Sequence, residues 1–169
     1  MKRKILVVLS GGKNSVIALF WAKQNFDAVH AITFDYKQHQ RSEIDAAKAI
    51  SKLAGVQQHE VLKLDGALCH NNSSLAPMRN ILFLSIAANR ARLFEISDIV
   101  TGIREEDSPE SHEVFVRAAQ DAIDFASDTQ NRPFRIHTPL LLLTQDEIDT
   151  LAANLPGCND ALQGAINAK

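Results

Sequence analysis

Ser10, Gly11, Gly12 and Ser15, with Lys13 and Asn14 between them, form a run of small and polar residues, Leu-Ser-Gly-Gly-Lys-Asn-Ser over residues 9 to 15. Two adjacent glycines can take backbone angles closed to other residues, and they let main-chain N–H groups come close to a ligand. The run follows an apolar stretch, Ile5 to Leu9, and precedes helical periodicity from Ser15, so it falls at a helix N-terminus. There the unpaired N–H groups of the first turn and the positive end of the helix dipole favour an anion, phosphate above all. The Ser10 and Ser15 hydroxyls add donors. The spacing matches neither Gly-x-x-x-x-Gly-Lys-Ser/Thr nor Gly-x-Gly-x-x-Gly. A plain strand-to-helix turn is the competing reading of the same residues, and the run alone leaves both open.

Short apolar runs alternate with segments of helical periodicity along the chain. Ile5–Leu9, Ala28–Asp35, Glu60–Leu64 and Asp98–Ile103 read as strands, and Ser15–Asn25, Arg41–Leu53, Arg79–Phe94 and His112–Ser127 as helices. Gly55 is placed to end the second helix. Loops cover Gly66–Met78 and the charged stretch Arg104–Ser111, and Phe134–His137 is a short extended piece. Thr144, with Glu147 three residues on, gives the capping-box signature of a last helix. From Pro156 onward the chain is small, polar and weakly periodic, so residues 157–169 are expected as a loose tail or a partner-dependent helix. One domain over residues 1–155 and a tail over 156–169 are therefore expected. Repeated strand–helix units predict an α/β fold, a doubly wound five-stranded parallel sheet with helices on both faces. In such sheets ligands bind beyond the carboxyl ends of the strands, at the switch in strand order. The loops after Leu9, Asp35, Leu64 and Ile103 all fall at those ends.

The 169 residues fit one domain with ordinary globular usage. A formal net charge of -2, from 18 basic and 20 acidic residues, gives no overall attraction to nucleic acid or anionic lipid, so neither is expected as a direct partner. Cys69 and Cys158 form no C-x-x-C pair, which excludes a disulfide scaffold or a four-cysteine zinc site within this chain. His39, His59 and His70 beside Cys69 fit no zinc template, and no zinc is expected. After Met1-Lys2-Arg3-Lys4 the apolar run is short and leads straight into the glycine loop, which reads as a first strand and not a signal peptide. No apolar run approaches the ~20 residues that cross a bilayer. A cytoplasmic protein is expected.

The Leu9–Ser15 run is similar to the Ser-Gly-Gly-x-Asp-Ser pyrophosphate-binding loop of the ATP pyrophosphatase (PP-loop) superfamily, with Asn14 in place of aspartate. Further segments follow in one order. They are Ile32-Thr-Phe-Asp-Tyr36 with Gln38 and Glu43, Ala76-Pro-Met-Arg-Asn80 leading into Leu82-Phe-Leu-Ser85, Thr101-Gly102 with Asp107, and Arg132-Pro-Phe134 with Ile136-His-Thr-Pro-Leu140. Together they resemble the 7-cyano-7-deazaguanine synthase family over roughly residues 4 to 155. The resemblance implies an adenine nucleotide alpha hydrolase-like fold, with a PP-loop ATP-binding domain over residues 1–155. It also implies a ligase that uses ATP and Mg²⁺ to adenylate a carboxylate such as 7-carboxy-7-deazaguanine. Ammonia then gives an amide and a nitrile, in deazaguanine synthesis for queuosine or modified DNA bases. A carboxylate is a poor electrophile until AMP becomes its leaving group, and the loop would stabilise charge building on the phosphates. On the same footing Ser10, Gly11, Gly12 and Ser15 would hold pyrophosphate oxygens, with Asn14 and Gly102 also in the nucleotide site. Thr33, Phe34 and Tyr36 would border the adenine. Arg79 would neutralise phosphate or carboxylate charge, and Asp107 would orient metal or substrate.

Several of these residues have a structural reading as well. Thr33 and Phe34 are good strand residues, Phe83 and Phe115 have core spacing, and Arg79 and Asn80 can cap the helix that begins there. Asp107 can be a solvated loop charge, and His137 a hydrogen-bonded structural histidine. The chain also departs from the family pattern. Asn14 lacks the acid's charge, and Gln145 stands where the family has the lysine of its Thr-Lys pair. The substrate loop Asp-x-Ser-Gly-Tyr-Pro-Asp-Cys-Arg is shortened to Asp107-Ser-Pro-Glu-Ser-His112, and the segment before Pro77 is abbreviated. The family's four-cysteine zinc module has no counterpart before Lys169. These departures carry a second expectation, a catalytically degenerate nucleotide-binding relative that acts as a sensor or a partner-dependent subunit. Without the module, Leu140–Leu143 or Ile148–Leu155 would be uncovered, and a homodimer that buries them is expected.

Overall fold

The computed structural model describes residues 3–36, 41–71, 74–75, 78–105, 112–127 and 133–167. In chain order the elements are β1 (Lys4–Val8), α1 (Lys13–Asn25), β2 (Ala28–Asp35), α2 (Arg41–Leu53) and β3 (Gln58–Lys63). A 3-10 turn at Gly66–Leu68 leads to β4 (His70–Asn71) and β5 (Ser74–Leu75), which pair antiparallel within the stretch expected as a loop. Then come α3 (Arg79–Leu93), β6 (Asp98–Thr101), α4 (Glu113–Ala126), β7 (Arg135–His137), α5 (Gln145–Asn154) and α6 (Cys158–Asn167). The main sheet has the order β3-β2-β1-β6-β7, and every neighbouring pair in it is parallel. The doubly wound five-stranded sheet expected from the sequence is therefore the fold.

Period-two alternation divides β1 between two cores. Ile5, Val7 and Leu9 join Val29, Ala31 and Val100 against α1, α2, α5 and α6, while Leu6 joins Ile32, Phe34 and Ile99 against α3 and α4. Both faces of the central strands are buried, which is why they read as unbroken apolar runs. α1 buries seven of its residues, from Ser15 to Phe20 and Ala22, because it lies between the sheet and α6. α1 begins two residues before the expected Ser15, so Lys13 is already helical.

The segment after Pro156, expected as a loose tail or a partner-dependent helix, is α6, entered through a left-handed Gly157 at φ +77. Cys158 and Ala161 are buried in the α1 core, and burial pushes the Cys158 thiol up to about 11. α6 shares that core with Ile148, Ala152 and Leu155 of the α5 segment. Leu140, Leu141, Ile148 and Leu155 are buried within the chain, Leu143 packs against the same core, and of the four leucines Leu142 is exposed. The capping box is present: Thr144 Oγ1 accepts from Glu147 N–H at 3.4 Å and Glu147 Oε2 accepts from Thr144 N–H at 2.8 Å. No helix among the described residues is long and apolar enough to cross a membrane.

After β3 the chain returns to the far side of β1, so the order reverses between β1 and β6. Both glycine turns, Gly11–Gly12 after β1 and Gly102 after β6, open onto that switch point, where an α/β sheet offers its ligand crevice.

Candidate functional site

A cleft of about 360 Å³ opens at the carboxyl ends of β1 and β6. Ser10, Gly12, Lys13, Asn14 and Ser15 line it from the loop and the first turn of α1, and Thr101, Gly102 and Ile103 from the end of β6. Two glycines make this approach possible. Gly11 sits at φ +88, and a Cβ there would stand 2.1 Å from the Glu43 carbonyl oxygen of α2. A Cβ on Gly102 would stand 2.4 Å from the Asn14 carbonyl oxygen. The loop is thus wedged between the backbones of α2 and the β6 exit.

The two serines brace this loop. Ser10 Oγ donates to Ser15 Oγ at 3.1 Å, Ser15 Oγ donates to the Gly12 carbonyl at 2.8 Å, and Gly12 N–H donates to Ser10 Oγ at 3.3 Å. Their protons are spent inside the turn. The start of α1 is different: its N-cap, Gly12, makes no side-chain hydrogen bond to the first turn, and no acid lies in that turn. The free N–H groups of the helix start are the donors left for an anion in the cleft.

Arg79, the first residue of α3, faces the loop from the other side of the sheet, with Asn80 and Phe83 beside it in the cleft wall. Phe83 stacks on Phe34 with ring centroids 4.4 Å apart, and Tyr36 lies 5.5 Å from Phe83. The Arg79 guanidinium stands 5.9 Å from the Tyr36 ring centre and 5.8 Å from that of Phe83, within cation–π range. Arg79 Nε is buried with no hydrogen-bond partner among the described residues, while the Arg79 side chain also engages the Tyr36 hydroxyl through a hydrogen bond. Burial raises the Tyr36 phenol above its ordinary value, and Arg79 opposes that rise. Neither Arg79 nor Asn80 caps α3: the N-cap is Met78, at φ 64, with no side-chain cap bond.

Phe34 and Tyr36 line the cleft, whereas Thr33 does not. Successive strand residues point to opposite faces, and Thr33 is buried on the α2 side. Its hydroxyl donates to the Leu9 carbonyl at 2.5 Å and lies 2.7 Å from His59 Nε2. His59 Nδ1 in turn lies 2.8 Å from Ser51 Oγ. Thr33 acts on the site by holding the residue from which the glycine loop departs. Asp107 lies outside the described residues, as do Gln38 and His39. His137 is turned away from the cleft, with Nε2 2.7 Å from Asp98 Oδ1 and its ring against Trp21 and Phe26.

His59 and His30 are both held below the ordinary imidazole range, first by burial and then by Lys48 and Lys4 respectively. The unfolded chain takes up protons at these positions before the folded chain does. Their stabilising contribution is fully present above about pH 6.5 and is lost as pH falls through the folded values. The melting temperature should therefore decline between pH 7 and pH 5, and His59→Gln should flatten part of that decline. An identical slope in the variant would show that His59 has no share in it.

Sequence reasoning read Phe83 as core and did not single out Lys13 as a site residue. Phe83 follows Arg79 by four residues on one helix, a spacing that puts both on the same face. Lys13 stands at the rim, its Nζ 2.7 Å from Asp149 Oδ1 of α5. The same oxygen accepts from Gln145 Nε2 at 3.0 Å, and Gln145 Oε1 accepts from Arg104 Nη1 at 3.2 Å. Glu43 is the carboxylate among the described residues lining the cleft, and no group of three metal-binding side chains occurs among them. Mg²⁺ is commonly carried by one or two carboxylates together with substrate phosphates and water. The donors present thus fit an ion that arrives with a phosphate, and do not form an all-protein cage.

The sequence profile of the queuosine biosynthesis protein QueC family matches residues 4–76 and 70–162. The 7-cyano-7-deazaguanine synthase of Clostridium acetobutylicum is 35% identical over 176 residues, spanning 91% of this chain and 78% of that protein. The synthase of Gloeobacter violaceus is 34% identical, spanning 92% and 77%. Among solved structures, the NH3-dependent NAD synthetase of Campylobacter jejuni superposes with a TM-score of 0.58 at 16% identity, over 96% of this chain and 68% of that one. At that identity the likeness is one of fold, the PP-loop, adenine nucleotide alpha hydrolase-like sheet.

Proposed function

Because the chain belongs to the queuosine biosynthesis protein QueC family, we propose that it is an ATP-dependent synthase that adenylates a 7-deazaguanine carboxylate for conversion to the nitrile. The observation that carries this reading is the uncapped start of α1, which faces a cleft walled on its other side by Arg79 and a stacked aromatic pair. The free N–H groups of the first turn would hold the pyrophosphate that leaves when the carboxylate oxygen attacks the α-phosphorus. Arg79 would screen the substrate carboxylate from the phosphates it approaches. Phe34, Tyr36 and Phe83 offer flat apolar surface to a planar heterocycle. Glu43 would hold Mg²⁺ against the phosphates, supplying charge neutralisation there. Ammonia would then displace AMP from the activated carboxylate to give the amide, and a second ATP would adenylate the amide oxygen so that it leaves with AMP as the nitrogen gives up its remaining protons and the nitrile forms.

A second reading is favoured by Asn14 and by the single carboxylate in the described cleft: a relative that binds nucleotide without turning it over. One experiment separates the two. The protein is incubated with 7-carboxy-7-deazaguanine, ATP, Mg²⁺ and ammonium, with AMP and nitrile followed by mass spectrometry, beside calorimetry with ATP, AMP and pyrophosphate. Nitrile formation supports the synthase. Binding without AMP release supports the second reading, and no heat with any of the three ligands removes both.

A further inference from the structure

Lys13 and Arg79 are the two cations among the described residues that line the cleft, and they reach it from opposite faces of the sheet. A cation at the first position of a helix is poorly placed, since the dipole there favours negative charge. Lys13 is accommodated because Asp149 of α5 meets its ammonium at 2.7 Å, and that hydrogen bond is the main reason the Asp149 carboxyl is held below its ordinary value. Both partners are half exposed, at 50% and 52%, so the pair contributes little to stability. The Asp149 oxygen already has a second donor in Gln145, itself fixed by Arg104. Lys13 can leave without stranding the carboxylate. A side chain in a first turn also leans back toward the helix N-terminus, here over Gly12 and the free N–H groups.

We propose that Lys13 is a transferable phosphate-binding cation: Asp149 parks it at the rim, and it moves to the phosphates of bound pyrophosphate or nucleoside triphosphate while Gln145 keeps Asp149 satisfied. The inference rests on the reading of the Ser10–Ser15 loop as a phosphate site. It makes Asp149 a competitor of the ligand, so the two partners have opposite effects on affinity. An ion pair that served only to fix α5 against α1 would give effects of the same sign.

The test is isothermal titration of the wild type, Lys13→Gln, Asp149→Asn, the double variant and Arg117→Gln with inorganic pyrophosphate and with Mg²⁺–ATP. Arg117 lies on α4, paired with Glu113 away from the cleft, and controls for the change in net charge. Lys13→Gln should weaken pyrophosphate binding roughly tenfold, the scale of one lost charge-assisted hydrogen bond. Asp149→Asn should tighten it, the double variant should match Lys13→Gln, and Arg117→Gln should match the wild type. Lys13→Gln binding within twofold of wild type overturns the inference while leaving the loop reading intact. So does weakened binding in Asp149→Asn. A wild type that binds neither probe overturns the loop reading itself, and the inference with it.

Discussion

Gly11→Ala will lower the melting temperature by roughly 10 °C and abolish pyrophosphate binding. The backbone at Gly11 is left-handed at φ +88, where a residue with a Cβ is disfavoured by about 1–2 kcal/mol. The new Cβ would also stand 2.1 Å from the Glu43 carbonyl oxygen and 3.1 Å from the Ala47 nitrogen. Both are backbone atoms of α2, so no side-chain rotation relieves the clash, and displacing a packed helix adds about 1–3 kcal/mol. A loss near 3 kcal/mol in a chain of this length corresponds to about 2–4 °C for each kcal/mol. Gly12→Ala is the internal comparison. Its Cβ would meet Ser10 Oγ at 3.5 Å, an ordinary contact, at φ -77. That variant should keep its stability within about 0.5 kcal/mol. Equal melting temperatures for the two variants would overturn the argument that the loop is held by close backbone approach.

The same wedge shows what a sequence reveals and what it hides. The tandem glycines, the buried strands and the Thr144–Glu147 cap were legible because each is a local rule: a conformation barred to other residues, a two-sided burial, a reciprocal hydrogen bond. Residues 32–36 were legible as a unit near the site, but the strand sends Thr33 and Phe34 to opposite faces, and only the sheet order says which face meets the loop. α6 was not legible because its buried face is built from Cys158 and Ala161, whose small side chains give weak periodicity while filling the gap beside α1. Leu140, Leu141, Ile148 and Leu155, expected as uncovered, are buried within the chain, and Leu142 is exposed. Lys13 was passed over because its partner, Asp149, is 136 residues away in sequence, and no local pattern announces such a pair.

Arg79→Ala should lower the rate of ATP-dependent product formation by about 10²–10³, the scale of removing one fixed donor from developing charge in a closed site. The fold should survive, because Arg79 caps nothing and the Phe34–Phe83 stack does not depend on it. The kinetic form of the loss is informative. An arginine that only anchors the ground-state nucleotide raises KM and spares kcat, whereas one that neutralises charge as the carboxylate meets the α-phosphate lowers kcat. Arg79→Lys restores charge without the planar fork, so partial recovery is expected. A spectroscopic readout accompanies this, because Tyr36 is the chain's one tyrosine and its phenolate absorbance titrates without interference. Burial already raises that phenol, and Arg79 is the group pulling it back down. Arg79→Ala should therefore move the Tyr36 titration to higher pH, and Arg79→Lys should leave it near the wild-type position. A tyrosine that titrates identically in Arg79→Ala, with product formation within threefold of wild type, would show that Arg79 has no electrostatic hold on the cleft.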